Sequence, residues 1–201
     1  MILEVFSDYV CPWCYLGNSR TKKIQQDYHV LIKLIHFPLH PKTPIEGILL
    51  HELFGCGVEE IKAKNLQMQL LMQEEGLPYT NRSHTYNSRL AQEIGVWADV
   101  QMGAHEIHDK FYEAYFVYGR NIGDIEVIIQ VIKSIGLDEE EARAVITERQ
   151  YKDAVDADWE KSVYSGVTGV PTYLSDSKRL VGAQPYEVLQ KLMSEVGVKK
   201  R

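Results

Sequence analysis

The sequence is poor in cysteine, with three in 201 residues, and it contains only one closely spaced cysteine pair. A structural zinc site needs four ligands, usually two such pairs or one pair together with histidines. Three cysteines are also too few for the disulfide framework on which small secreted domains depend. The shortage argues against a metal centre and against a disulfide scaffold, and we expect no bound metal.

The chain also lacks long apolar runs and an excess of positive charge. No apolar stretch reaches the roughly 18 residues that a membrane span requires. There are 22 Lys and Arg against 28 Asp and Glu, and they form no basic stripe. We therefore expect neither nucleic acid nor a membrane as a partner. Residues 1–6 begin a strand pattern without the basic region of a signal peptide, which predicts a cytoplasmic protein.

The feature that carries chemistry is the motif Cys11-Pro12-Trp13-Cys14, called the CPWC motif below. It follows an apolar strand pattern and begins a helical one, and Pro12 suits the first helical turn. A helix N-terminus stabilises an anion, and the thiolate is the reactive form of cysteine. The spacing predicts Cys11 as the attacking thiolate and Cys14, more buried, as the thiol that resolves a mixed disulfide. Zinc binding and an unreactive pair remain the alternatives.

The first 37 residues predict a strand, a helix and a second strand. The strand patterns cover residues 2–7 and 29–37, and the helical pattern runs from Pro12 to about Tyr28. The second strand is almost continuously apolar, which is typical of a strand covered on both faces. Together these segments predict one βαβ unit with a right-handed crossover.

The last 36 residues predict two strands and a helix. Strand patterns at 171–174 and 179–181 flank a polar turn, as in a β-hairpin. Pro185 then stands at the start of an amphipathic helix over 186–196. This end of the chain therefore predicts a ββα unit.

Between these two units the sequence shows helical patterns and no convincing strand. The predicted helices cover 45–54, 58–75, 87–102, 104–118, 124–135, 137–147 and 152–164. The run from Asp124 to Ile135 is rich in β-branched residues, but Asp124 can cap a helix and Gly136 can end one. We expect one domain formed by 1–43 and 166–201, interrupted by an all-helical insertion domain of 44–165.

These features together resemble a known family. A βαβ unit beginning on CPWC and a ββα unit beginning on Val170-Pro171 resemble the thioredoxin fold, and the helical insertion resembles its DsbA-like branch. The chain is most similar to the FrnE-like and 2-hydroxychromene-2-carboxylate isomerase-related proteins of that branch. The matching residues are 7–17, 37–41, 114–116 with Gly119, Ile122 and Asp124, 166–172 and 182–185. The resemblance implies an α/β thioredoxin fold, with βαβ and ββα halves and a large helical insertion.

The resemblance also implies a function and a site. It makes the chain a thiol–disulfide oxidoreductase that needs no cofactor, because the electrons reside on sulfur. Pro171 would be a cis-proline facing the cysteine pair, and the backbone of Val170 would hold an extended partner segment. The expected site residues are Cys11 and Cys14 for catalysis, and Pro12, Trp13, Val170 and Pro171 for substrate binding. Expected partners are a protein dithiol or disulfide or a small thiol such as glutathione, and the family's habit of dimerising makes a homodimer a further expectation.

The sequence departs from the family in ways that bear on function. DsbA carries a histidine inside the motif, which can place positive charge near the thiolate. Trp13 cannot, so we expect a less oxidising pair. Kappa-class glutathione transferases and chromene-carboxylate isomerases have serine at the first motif position, and Cys11 argues against their chemistry. A glutathione-dependent isomerase or transferase remains an alternative, as does an inert binding module in which both thiols are buried.

Two features away from the motif each have two interpretations. Cys56 is either a small buried hydrophobic residue or a third reactive thiol. The helix predicted over 104–118 is rich in aromatic residues, which either pack the helical insertion or line part of an apolar substrate groove.

Overall fold

The computed structural model describes residues 1–102, 106–176 and 178–201. It divides into two compact units, one formed by Met1–Leu39 and Asp158–Arg201 and the other by His40–Ala157. The domain boundaries expected from the sequence, 1–43 with 166–201 for one domain and 44–165 for the insertion, remain a prediction. Within the described residues, no helix is both long and apolar enough to cross a membrane.

The described elements alternate strands and helices at the two ends of the chain, with mainly helices between them. In chain order they are β1 (Ile2–Ser7), α1 (Pro12–Asp27), β2 (Leu31–His36), β3 (Ile48–Leu49), α2 (Leu50–Phe54), α3 (Val58–Glu74), β4 (His84–Thr85), α4 (Arg89–Asp99), α5 (Ile107–Phe116), α6 (Ile125–Ser134), α7 (Glu139–Glu148), α8 (Lys152–Tyr164), β5 (Thr172–Ser175), β6 (Lys178–Val181) and α9 (Tyr186–Glu195).

The first unit is built on a four-stranded sheet in the order β2-β1-β5-β6. β1 runs parallel to β2 and antiparallel to β5, and β5 forms a hairpin with β6. This arrangement confirms the predicted βαβ and ββα halves. Since a strand alternates its side chains between two faces, β1 contributes to two apolar clusters. Leu3 and Val5 pack with α1 and α9, whereas Phe6 packs with Ile35 and Val167.

The second unit is mainly helical, and its most ambiguous segment is a helix as predicted. In α6 the Oδ1 atom of Asp124 accepts the Glu126 N–H at 2.8 Å, which is a typical N-cap. Ile128, Ile129 and Ile132 on this helix are buried. The β-branched run is therefore a core helix, because one face is buried and its first turn is capped.

The expectation of an insertion without strands is wrong in one detail. β3 and β4 pair antiparallel in a two-stranded ladder, so residues 45–49 do not continue the predicted helix of 45–54. Gly47 has a φ of +91°, outside the helical region, and a Cβ there would lie 2.8 Å from the Thr85 carbonyl oxygen. Leu50 donates its N–H to the Ser83 oxygen at 2.8 Å. Pairing with a segment some 35 residues away overrides the local helical pattern.

The boundary between two predicted helices cannot be compared with the structure. The helices expected over 87–102 and 104–118 correspond to the shorter α4 and α5. Their predicted separation at Gly103 lies outside the described residues.

Candidate active site

The CPWC motif lies at the junction of β1 and α1. Cys11 is the N-cap residue of α1, with an extended backbone, and Pro12 is the first helical residue. The Cys11 N–H donates to the Asp8 oxygen at 3.1 Å, and the Cys11 oxygen accepts the N–H groups of Cys14 and Tyr15 at 3.0 and 3.1 Å. The backbone on both sides of Cys11 is therefore held, with its thiol at the positive end of the helix dipole.

Both cysteines of the motif are reduced and buried. Cys11 is 3% exposed and Cys14 is 2% exposed. Cys14 was expected to be the more buried of the two, but the two residues are almost equally buried. This burial of both thiols is also the feature expected of an inert pair.

The electrostatics of Cys14 are strongly perturbed. Burial raises the pKa of the Cys14 thiol well above its usual value, and a hydrogen bond with Cys11 and the charge of Cys11 raise it further. A hydrogen bond with Ser7 and the backbone of Asp8 oppose this rise in the pKa. Cys14 is consequently a neutral thiol at neutral pH, able to donate a hydrogen bond to the sulfur of Cys11.

The loop before β5 faces the cysteine pair. The Val170–Pro171 peptide bond is cis, as the family resemblance implies. The Cys11 Sγ donates to the Val170 carbonyl oxygen at 3.6 Å, across a sequence separation of 159 residues. The structure thus brings together three of the predicted site residues from opposite ends of the chain.

Gly17 in α1 allows the loop that carries Pro171 to pack closely against the helix. A Cβ on Gly17 would lie 2.6 Å from the Tyr173 hydroxyl oxygen and 3.1 Å from Pro171 Cγ. Tyr173 is fully buried, and this burial raises the pKa of its hydroxyl, so the side chain stays neutral. Sequence reasoning did not single out this contact. Its one local signal is a glycine inside a helical pattern, which often marks a close approach of another segment.

Two further predicted residues lie at the surface of the motif. Trp13 is 43% exposed, whereas Pro12 is half-buried. An exposed tryptophan one position from Cys14 and two from Cys11 provides an apolar contact surface beside the thiols.

Asp8 is a residue of this site that the sequence analysis included only within the matching segment 7–17, without a role of its own. Asp8 is 1% exposed, and its carboxylate Oδ1 accepts the Val10 N–H at 3.2 Å while Oδ2 accepts the Leu39 N–H at 3.0 Å. The bond to Val10 is the pattern of an Asx turn, a signal that an aspartate before the motif could have given. The bond to Leu39 depends on tertiary structure.

Other candidate features lie in the helical unit. Cys56 is a half-buried free thiol between α2 and α3, and its role stays open. Most aromatic side chains of α5 are buried, and the Tyr115 and Phe116 rings pack 4.7 Å apart. This packing fits the structural interpretation, while the groove interpretation stays untested. Nowhere in the described ranges do three His, Cys, Asp or Glu side chains form a group that could hold a metal.

A cysteine pair at a helix N-terminus, a facing cis-proline, and a βαβ/ββα sheet interrupted by helices define a thioredoxin-fold protein of the DsbA type. The chain belongs to the DsbA-like thioredoxin domain family, whose model matches residues 2–194.

Three known proteins illustrate the range of this similarity. The Bacillus subtilis (strain 168) protein YwbO, described as uncharacterised, is 26% identical, and the alignment covers 98% of each chain. The crystal structure of a probable DsbA oxidoreductase, SCO1869 from Streptomyces coelicolor, is 27% identical with a TM-score of 0.89, covering 98% of this chain and 89% of that one. A 2-hydroxychromene-2-carboxylate isomerase is 19% identical with a TM-score of 0.78, covering 98% and 96%, and shows the shared fold.

Proposed function

We propose that this protein is a thiol–disulfide oxidoreductase that exchanges electrons through Cys11 and Cys14. The observation that carries the proposal is the asymmetry of the pair. Cys11 caps α1, where a thiolate is stabilised, and Cys14 is a neutral thiol hydrogen-bonded to it. Family membership agrees with this chemistry.

The exchange takes two displacements on sulfur. The Cys11 thiolate attacks one sulfur of a partner disulfide, which forms a mixed disulfide and releases the other sulfur as a thiolate. Cys14 then loses its proton and attacks the Cys11 sulfur, which forms the Cys11–Cys14 disulfide and releases the second partner thiolate. The protein loses two electrons and the partner gains them, and the proton of Cys14 passes to one of the partner thiolates or to water. With an oxidised protein, the same steps run in reverse.

Substrate positioning falls to the residues around the two thiols. An extended partner segment would pair with the backbone at Val170, next to Pro171, in the manner of an added strand. The 3.6 Å approach of the Val170 oxygen to the Cys11 sulfur would bring the scissile disulfide within reach. Trp13 and Pro12 would supply the apolar part of the contact.

The proposal includes partners and a location. We expect a protein dithiol or disulfide, or a small thiol such as glutathione, as the electron partner, and no cofactor. We expect the protein to act in the cytoplasm, where free cysteines are typically catalytic, and cell fractionation tests this. A homodimer is part of the proposal, and light scattering coupled to gel filtration measures it.

Titration in glutathione redox buffers tests the proposal. The protein is equilibrated with mixtures of reduced and oxidised glutathione, and the fraction of free Cys11 thiol is measured by alkylation and mass. We expect one reversible two-electron transition that is absent in Cys11→Ser and unchanged in Cys56→Ser, the matched control. The midpoint gives the direction of electron flow. A protein that stays fully reduced across all buffers contradicts the proposal.

One observation favours a second candidate, an inert thioredoxin-like binding module. Both thiols are almost fully buried, and a buried thiol is usually unreactive. Such a module would show no transition and no alkylation of the folded protein. The fold shared with the chromene-carboxylate isomerase keeps a glutathione-dependent isomerase as a further alternative. That enzyme would bind glutathione non-covalently, with unchanged affinity in Cys11→Ser.

A further inference from the structure

We propose that Thr172 is a positioning residue for substrate, whose hydroxyl fixes the Gly169–Val170 peptide group so that Val170 can pair with an extended peptide disulfide. This inference rests on the proposed function. It names the residue through which the same site distinguishes a peptide disulfide from a small one.

The Thr172 side chain is buried at the start of β5. Thr172 is 1% exposed, and its neighbours across the sheet are Phe6 on β1 and Val181 on β6. Its Oγ1 donates to the Gly169 carbonyl oxygen at 2.7 Å. Since β5 lies between β1 and β6, the hydroxyl closes the turn of residues 169–172 from inside the sheet.

The bonded carbonyl determines the direction of the next N–H. The Gly169 oxygen and the Val170 N–H belong to one planar trans peptide group, so they point in opposite directions. The bond to Thr172 therefore directs the Val170 N–H away from the Thr172 hydroxyl. On the following peptide group, the Val170 oxygen lies 3.6 Å from the Cys11 sulfur. Val170 thus offers both a donor and an acceptor, and the acceptor adjoins the reactive thiol.

An added strand uses both backbone groups of one residue. In an antiparallel pair, two facing residues exchange N–H···O bonds in both directions. A carbonyl oxygen has two lone pairs, so the Val170 oxygen can face Cys11 and also accept a partner N–H. The Val170 N–H can donate to the same partner residue only if its peptide group is held in the right direction. The Thr172 hydroxyl supplies that restraint.

Other contacts hold neighbouring parts of the turn. The Pro171 oxygen accepts the Gly182 N–H at 2.7 Å, and the Val170 side chain packs against the cluster that contains Phe6. Neither contact involves the Gly169 oxygen. Loss of the Thr172 hydroxyl therefore frees the Gly169–Val170 peptide group to rotate while the rest of the turn stays in place.

Rotation of this group affects a peptide substrate and spares a small one. Hydrogen bonds weaken steeply as their geometry departs from linear. Loss of one net bond weakens binding by roughly three- to tenfold. A small disulfide has no backbone to pair with Val170, so its reaction with Cys11 does not depend on the direction of this group.

The test uses two disulfides with the same leaving group. One carrier is a short extended peptide with a single cysteine, the other is 2-mercaptoethanol, and each forms a mixed disulfide with thionitrobenzoate. The Cys11 thiolate attacks the carrier sulfur, becomes disulfide-bonded to the carrier and releases the thionitrobenzoate thiolate, which is the better leaving group. The absorbance of that thiolate gives the second-order rate constant for each disulfide.

Three variants separate positioning from stability. Thr172→Val removes the hydroxyl with little change in size, and Thr172→Ser retains it. Ser175→Ala is the matched control, because Ser175 is buried at the other end of β5 and donates its hydroxyl to the Ile2 oxygen at 3.1 Å. Circular dichroism and urea unfolding first establish that each variant is folded.

We expect Thr172→Val to slow the reaction with the peptide disulfide about fivefold and to leave the reaction with the mercaptoethanol disulfide nearly unchanged. Thr172→Ser should restore the peptide rate, and Ser175→Ala should change neither rate. An unchanged peptide rate in Thr172→Val, an equal loss with both disulfides, or no recovery in Thr172→Ser would overturn the inference. So would a failure of Thr172→Val to fold beside a folded Ser175→Ala, because the hydroxyl would then be structural only. If the unsubstituted protein releases thionitrobenzoate from neither disulfide, the proposed function itself fails.

Discussion

The substitution Gly17→Ala tests the packing that places the cis-proline loop against the cysteine helix. The new Cβ would meet the Tyr173 hydroxyl oxygen at 2.6 Å and Pro171 Cγ at 3.1 Å. Contacts below 3.0 Å force atoms to shift, and overpacking a rigid core costs about 1–3 kcal/mol. Alanine gains about 1 kcal/mol over glycine inside a helix. The difference is a net loss of up to about 2 kcal/mol, and we expect the upper part of that range because Tyr173 is fully buried and has little room to move.

Urea unfolding followed by circular dichroism measures this change, and two further variants isolate its cause. A Cβ on Gly169 meets nothing within 4 Å, so Gly169→Ala, in the same loop as Pro171, should leave the unfolding midpoint nearly unchanged. Tyr173→Phe removes the oxygen that clashes, so the double variant Gly17→Ala/Tyr173→Phe should recover about 1 kcal/mol relative to additivity. A Gly17→Ala protein at least as stable as the unsubstituted one would refute this account of the packing.

Two further substitutions test the electrostatics of buried groups. Because the pKa of Cys14 is raised in the folded protein, the Cys14 thiol ionises in the unfolded chain at a lower pH than in the folded one. The contribution of Cys14 to the unfolding free energy is therefore complete below the usual cysteine pKa of about 9 and is lost as the pH rises further. Cys14→Ala should therefore flatten the fall of the unfolding free energy above about pH 9, and an equally steep fall would contradict the assignment. Glu93 is 3% exposed and pairs with Arg89 and Arg149, both at 2.6 Å. Glu93→Ala should cost about 3 kcal/mol in urea unfolding, because Arg89 and Arg149 both lose the buried carboxylate that accepts their hydrogen bonds. Glu126→Ala is the matched control, because Glu126 forms an exposed ion pair with Arg143. We expect it to lower the unfolding free energy by far less than Glu93→Ala does. Equal losses in Glu93→Ala and Glu126→Ala would refute the difference between a buried and an exposed ion pair.

The features that depend on neighbouring residues could be predicted from the sequence. The start of α1 at Pro12 follows from proline geometry, and the start of α6 follows from the side chain of Asp124, which caps the helix two residues away. The apolar run of β2 predicted a strand in a parallel sheet, and β2 does pair parallel with β1; the expected cover on both faces is wrong, because β2 is an edge strand and Leu31 is 59% exposed. In each case the forces act within a few residues, so the pattern alone contains them.

The family resemblance supplied what no local pattern could. The cis bond at Pro171 and its position opposite Cys11 came from the similarity of motifs at the two ends of the chain. A cis X–Pro bond is uncommon and has no reliable signal in the neighbouring residues. Composition and spacing would have left that loop as an ordinary turn.

The sequence by itself determined the order of the strands and helices other than β3 and β4, the helix that begins with the CPWC motif, and the residue types available for thiol chemistry. Only the tertiary structure decided which distant groups surround that motif. The Val170 oxygen reaches Cys11 across 159 positions, and Leu39 reaches the carboxylate of Asp8 from the end of another strand. The pairing of β3 with β4 likewise replaced a predicted helical turn. Such contacts depend on how the whole chain buries its apolar faces, which no short segment of sequence encodes.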